Sequence, residues 1–201
     1  MQKLIKSSCA IAAEEIGKEK AKRIAKAAQN RYKELLAENA DDGKALRAHT
    51  FKRIYPSIAV YEAFRSEGIK AEKGVWYIRE YFQRFSARTV PHIRRLIKAF
   101  GLTKRIPKLF LKLSLKRFGT DAGFAYEFPE SHGNEARFLI VHCPYYETCK
   151  RYGCPEITTA FCDGDDVGYG NLHPQLIWGR TTTIGRGDAC CNFLLQYRDK
   201  A

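Results

Sequence analysis

The chain has 201 residues, 45% apolar and 28% charged; that is enough for a buried core and too apolar for a disordered polymer. No apolar run approaches the roughly 20 residues that span a bilayer, and Cys9–Ala13 is too short for a secretory leader, so a single cytoplasmic domain over residues 1–201 is expected. Its net charge of +13 is unevenly spread: residues 1–118 hold 28 Lys and Arg against 11 Asp and Glu, residues 119–201 hold 7 against 11.

Residues 9–39 carry Ile16, Ile24, Ala27, Ala28, Tyr32, Leu35 and Leu36 at helical intervals, which predicts one long amphipathic helix. Ser7 or Ser8 is placed to cap its start, and the polar run Asn39–Gly43 ends it. A second helix is predicted over Lys44–Ser66, kinked or divided at Pro56. A third covers Lys73–Phe85, and a fourth runs from Thr89 to Leu102 with Pro91 in its first turn. Pro107–Phe118 reads as a further helix. The basic residues lie scattered at helical spacing, as on a solvated face, and no nucleic-acid motif accompanies them. No nucleic-acid or membrane partner is therefore expected.

From Gly119 the texture changes. Phe124–Phe128 and Ala136–His142 alternate as strands, Pro144–Gly153 reads as a short helix, and Leu176–Ile184 and Cys191–Arg198 read as strands joined at Gly185–Ala189. The expected class is α+β: a basic, mostly helical part over 1–118 packed on a small antiparallel sheet over 119–201.

Six of the seven cysteines fall in this last part. An odd number of thiols in a reducing compartment points to reactive groups, metal ligands or small buried hydrophobes rather than disulfides. Cys143, Cys162 and Cys191 are the thiol candidates; Cys149, Cys154 and Cys190 read as buried hydrophobes. No pair has the tight spacing of structural zinc, so no metal and no cofactor are expected.

Five motifs follow one another in order: Cys143-x-Tyr145-x-Glu147, Gly153-x-Pro155-Glu156, Cys162-x-x-Asp165, Arg180-Thr181-x-Thr183-Ile184 and Gly187-x3-Cys191-Asn192-Phe193. The series resembles that of the L-2-amino-thiazoline-4-carboxylic acid hydrolase family over residues 135–198. It departs from the family at His142, where Arg is expected, and at Asn192, where Asp is expected. The hairpin also looks like that of 4-vinyl-reductase-type ligand-binding domains, but Arg180 and Thr183 stand where two of their three zinc ligands would be. The resemblance implies hydrolytic opening of a C–N bond in a small cyclic amidine-like carboxylate. Such chemistry needs a thiolate or activated water, a proton donor for the departing nitrogen and an anchor for the substrate carboxylate. Cys143, Cys162, Cys191, Glu147 and Asp165 are the catalytic candidates, and Arg180, His142 and Thr183 the substrate-binding ones. A carboxylated heterocycle is then the partner, a homo-oligomer is compatible with the chain, and the alternative is a small-molecule-binding domain that catalyses nothing.

Overall fold

The computed structural model describes residues 1–199, and they form an α+β protein. The chain divides into two compact units, Met1–Phe82 with Tyr145–Phe161, and Gln83–Pro144 with the residues from Cys162 on.

The first unit is helical. Helix α1 spans Lys3–Ile16 and α2 Lys18–Glu38. The single helix expected over 9–39 is thus two, because Gly17 sits at φ 84°, ψ 150°, a conformation that only glycine adopts readily. The start lies earlier than Ser7 and Ser8, which fall inside α1; the Gln2 side chain caps it instead, accepting from the amides of Leu4 and Ile5 at 2.6 and 3.1 Å. Helix α3, Lys44–His49, runs through a π-helical turn at Thr50–Ile54 into α4, Tyr55–Ser66. Pro56 explains the wide turn: without an N–H it cannot bond the carbonyl four residues back. That carbonyl, on Lys52, accepts from Gln2 Nε2, and the adjacent Phe51 carbonyl accepts from the Tyr32 hydroxyl. Helix α4 packs on α2, and Ala21, Ala25 and Ala28 of α2 and Ile58, Ala59 and Phe64 of α4 are all buried. Each large apolar side chain buried there contributes about 1.5–3 kcal/mol. Two further helices reach this unit, α7 (Pro144–Arg151) and the start of α8 (Thr158–Tyr169).

Helix α5, Ala71–Ala99, passes from the first unit into the second. It replaces the two helices expected at 73–85 and 89–102. Pro91 lies inside it, and the Thr89 hydroxyl bonds back to the carbonyls of Phe85 and Ser86. Helix α6, Ile106–Arg117, agrees with the reading of 107–118.

The second unit contains the sheet: β1 Ala125–Glu127, β2 Glu135–His142, β3 Leu176–Gly179 and β4 Cys191–Tyr197, antiparallel throughout in the order β1-β2-β4-β3. Strand β4 alternates buried Cys191, Phe193, Leu195 and Tyr197 with half-buried residues, the period-2 pattern of a strand with one covered face. Phe138 pairs with Phe193 in register, their rings stacked at 4.9 Å, and Ile140 pairs with Cys191. Helix α6 covers this face, with Phe110 against Phe138, Tyr169 and Trp178.

Candidate functional site

The segment DGDDVGYG reads locally as a Gly-rich turn, but all of it up to Tyr169 is helical, in α8. Helix α5 lies against it: the Ser86 hydroxyl donates to the Gly164 carbonyl at 3.0 Å, and a Cβ on Gly168 would make an ordinary contact with Ser86 Oγ at 3.6 Å. Because the segment is helical, Cys162, Asp165 and Asp166 at i, i+3 and i+4 share one face.

Arg180 meets that face. Strand β3 ends at Gly179, five residues short of the expected Ile184, and Arg180 follows it directly. Its Nη2 donates to the Cys162 carbonyl at 2.7 Å and pairs with Asp166 Oδ2 at 2.7 Å, while Nη1 lies 3.9 Å from Asp165 Oδ2. The guanidinium sits 5.8 Å from the Trp178 ring centre and 5.4 Å from that of Phe193. Trp178 in turn donates its indole N–H to Asp166 Oδ1 at 2.9 Å. The Arg180 side chain is 1% exposed. Burial opposes its charge, but Cys162, Asp166 and Asp165 outweigh burial and raise its pKa, so the cation is retained.

Between β3 and β4 the chain forms a clasp instead of the tight hairpin expected at 185–189. Asn192 Oδ1 accepts from the amides of Thr181 and Thr182 at 2.8 and 2.9 Å, and its Nδ2 donates to the Thr181 hydroxyl. Asp188 Oδ2 accepts from the Thr183 amide at 2.7 Å, and Cys191 Sγ from the Ile184 amide at 3.3 Å. Four successive backbone donors are therefore held by three side chains, which satisfies groups that a loop leaves without ladder partners. The last two motifs of the sequence are the two halves of this clasp.

Cys162 and Cys191 are buried. Burial raises the Cys162 thiol well above its ordinary range; Arg180 opposes the rise, while Asp165, Cys191 and Cys143 add to it. Burial likewise raises Cys191, against the Ile184 amide and Arg180. Both are therefore neutral thiols at physiological pH. Cys143, between β2 and α7, is half-buried and bears on Cys162 and on Tyr126, whose hydroxyl is raised first by burial and then by Cys143.

Of the residues expected at the site, Cys143, Cys162, Cys191, Asp165 and Arg180 thus come together in the second unit. Thr183 is 1% exposed, and its hydroxyl, like that of Thr182 and the Arg180 Nε, is buried without a hydrogen-bond partner. His142 is exposed at the end of β2, and Glu147 is exposed on α7 in the first unit. Cys149 and Cys154 are buried, whereas Cys190 is half-exposed. Asp166 and Asp188 are participants outside the expected set, and Asn192, singled out only as a departure from the family, is a third; the i, i+4 spacing of Asp166 from Cys162 was the available signal.

Other motif residues hold the first unit. The Tyr145 hydroxyl lies 3.0 Å from Nδ1 of His49, a fully buried histidine outside the motif series, and Glu156 accepts from the Tyr61 hydroxyl. Among the described residues, no group of three or more His, Cys, Asp or Glu is arranged to hold a metal ion, and no helix is long and apolar enough to cross a membrane.

A small antiparallel sheet with a buried Arg–Asp–Cys cluster at its edge is thus the distinctive feature of this α+β protein. The profile of the L-2-amino-thiazoline-4-carboxylic acid hydrolase family matches residues 47–195, and the chain belongs to that family. No curated protein matches the chain. Among solved structures, the Fe(II) unliganded H-NOX protein from K. algicida aligns over 98% of this chain and 96% of its own, at 7% identity and a TM-score of 0.36.

Proposed function

We propose that the protein hydrolyses a C–N bond of a small cyclic amidine-like carboxylate of the 2-amino-thiazoline-4-carboxylate type, using cysteine and carboxylate chemistry. Family membership supports the reaction class. The observation that carries the reading is the cluster in which the buried Arg180 cation meets Asp165, Asp166 and the Cys162 carbonyl, with Cys191 and Cys143 bearing on the Cys162 thiol.

In this reading Cys143 is the nucleophile, because it is the most accessible of the three thiols, while Cys162 and Cys191 rest as neutral thiols. Its sulfur attacks the amidine carbon and forms a C–S bond. The C–N bond then breaks, and the departing nitrogen takes the proton lost by the thiol, with Asp165 as carrier. Water hydrolyses the C–S adduct and restores the thiol. Arg180 lies 3.9 Å from Asp165 and favours negative charge on Cys162. The buried hydroxyls of Thr182 and Thr183 lack partners, and an unpaired buried polar group costs about 1–3 kcal/mol; substrate heteroatoms relieve that cost.

The test is incubation of the purified protein with 2-amino-thiazoline-4-carboxylate and a panel of related cyclic amidines and lactams, with product followed by mass spectrometry. Ring-opened product formed in proportion to enzyme is expected. Ligands that raise the melting temperature while no member of the panel is opened would overturn the reading in favour of a binding domain.

A further inference from the structure

Between Gln83 and Thr120 the chain holds eleven Lys and Arg and no Asp or Glu. The stretch comprises the second half of α5, all of α6 and the turn that joins them, entirely within the second unit. Large apolar side chains lie exposed among these cations: Phe85, Ile93 and Leu96 on α5, Phe100 just past its end, and Leu109 and Leu113 on α6. At about 100° of rotation per residue the three on α5 fall within about 80° of one another, a stripe at helical spacing.

Helix α6 is amphipathic in an uncommon way. Its inner face, Ile106, Pro107, Phe110 and Ser114, is buried on the β2–β4 side of the sheet. Its outer face is not simply polar: Leu109 and Leu113 stand between Arg105, Lys112 and Lys116. The stretch itself supplies no acidic side chain; from outside it, Asp199 reaches Lys104 at 3.2 Å and the Asn171 carbonyl accepts from Arg94.

We infer, against the expectation drawn from the scattered cations, that the exposed side chains of α6 and of the second half of α5 dock on an anionic lipid surface. Three properties favour that occupant. Exposed Phe, Leu and Ile gain free energy by entering the headgroup–acyl boundary, while Lys and Arg attract anionic lipid with their stems covering apolar ground. A nucleic acid matches the charge but leaves the six apolar side chains without a role. A second copy of the chain meets the apolar stripe but brings eleven like charges against eleven. Among the described residues no helix is long and apolar enough to span a bilayer, so the mode inferred is attachment at the interface.

The experiment is sedimentation of the whole protein with phosphatidylcholine vesicles, and with vesicles of phosphatidylcholine and phosphatidylglycerol. Two variants accompany it: Lys112→Glu/Lys116→Glu, which reverses charge, and Leu109→Ser/Leu113→Ser, which preserves it. All four positions are exposed, so both variants should keep the wild-type melting profile, which is checked by circular dichroism. Binding only to the anionic vesicles is expected, weakened at least about tenfold by the charge reversal and by salt raised to about 0.5 M. The serine variant is also expected to weaken binding several-fold. Failure of the wild type to sediment with the anionic vesicles would overturn the inference. So would vesicle binding that the serine variant leaves untouched together with equal binding to duplex DNA, which marks a polyanion site without an apolar component.

Discussion

At the scale of the residue, the thiols and the clasp are where burial and hydrogen bonding decide behaviour. Burial pushes Cys9 up to about 12 and raises Cys162 and Cys191 in the same direction. A group whose folded pKa exceeds its unfolded value holds its proton more tightly when folded. Its contribution to stability is therefore complete below the unfolded thiol value of 9.0 and is lost as pH rises toward the folded value. The melting temperature is expected to fall across the window from pH 9.0 to about 12, and the fall is expected to be shallower in Cys9→Ala. A pH–Tm profile of both proteins checks this; parallel slopes would speak against it. Asn192 gives a second prediction. The two amides it accepts need an oxygen, not a charge, so Asn192→Asp should fold as the wild type does. Asn192→Leu should lose about 1 kcal/mol, because it leaves those amides unbonded at a partly exposed site. Urea unfolding of the two variants separates the cases. The departure from the family at this position therefore leaves the loop intact, and its effect on the reaction is read from the turnover of Asn192→Asp.

At the scale of the element, periodicity located nearly every helix and strand, because each has one face to bury. It did not locate the breaks. Gly17 interrupts a pattern that continues on both sides, and only its backbone angles show why. A Cβ there would meet nothing within 4 Å, so any cost of Gly17→Ala is conformational: about 2 kcal/mol, near the middle of the range for a position restricted to glycine. Chemical denaturation measures it, and a variant as stable as the wild type would mean that the two helices join without strain. The opposite error occurred at Pro91. Proline is favoured in a first turn, yet here it sits within α5, where packing of the 29-residue helix overrides the local preference. The DGDDVGYG segment escaped for the same kind of reason. Its turn-forming composition is outweighed by the packing of α5 against α8, where the Ser86 hydroxyl bonds the Gly164 carbonyl.

At the scale of the whole molecule, the division into two units cuts across the division that composition suggests. The basic segment ends near residue 118, but the units exchange the chain at Phe82, Pro144 and Phe161. The motif series was legible in the sequence as a series; its distribution was not. Tyr145 and Glu156 serve the first unit, through His49 and Tyr61, whereas Cys143, Cys162, Asp165, Arg180 and Cys191 gather in the second. Spacing along the chain identifies residues of the right chemistry, but only the strand register and the helical phase of α8 show which of them meet. The burial of Arg180 was likewise invisible. A fork available to a substrate carboxylate looks the same in sequence as one already engaged by Asp166 and the Cys162 carbonyl. The measurement that bears most directly on the account is steady-state turnover of 2-amino-thiazoline-4-carboxylate by the wild type and by Cys143→Ala, Cys162→Ala and Cys191→Ala, each confirmed as folded. The account predicts a loss of at least about a thousandfold in kcat for Cys143→Ala, with smaller losses for the two buried thiols. Full activity in all three alanine variants would contradict it and assign the hydrolysis to a group outside the thiol cluster.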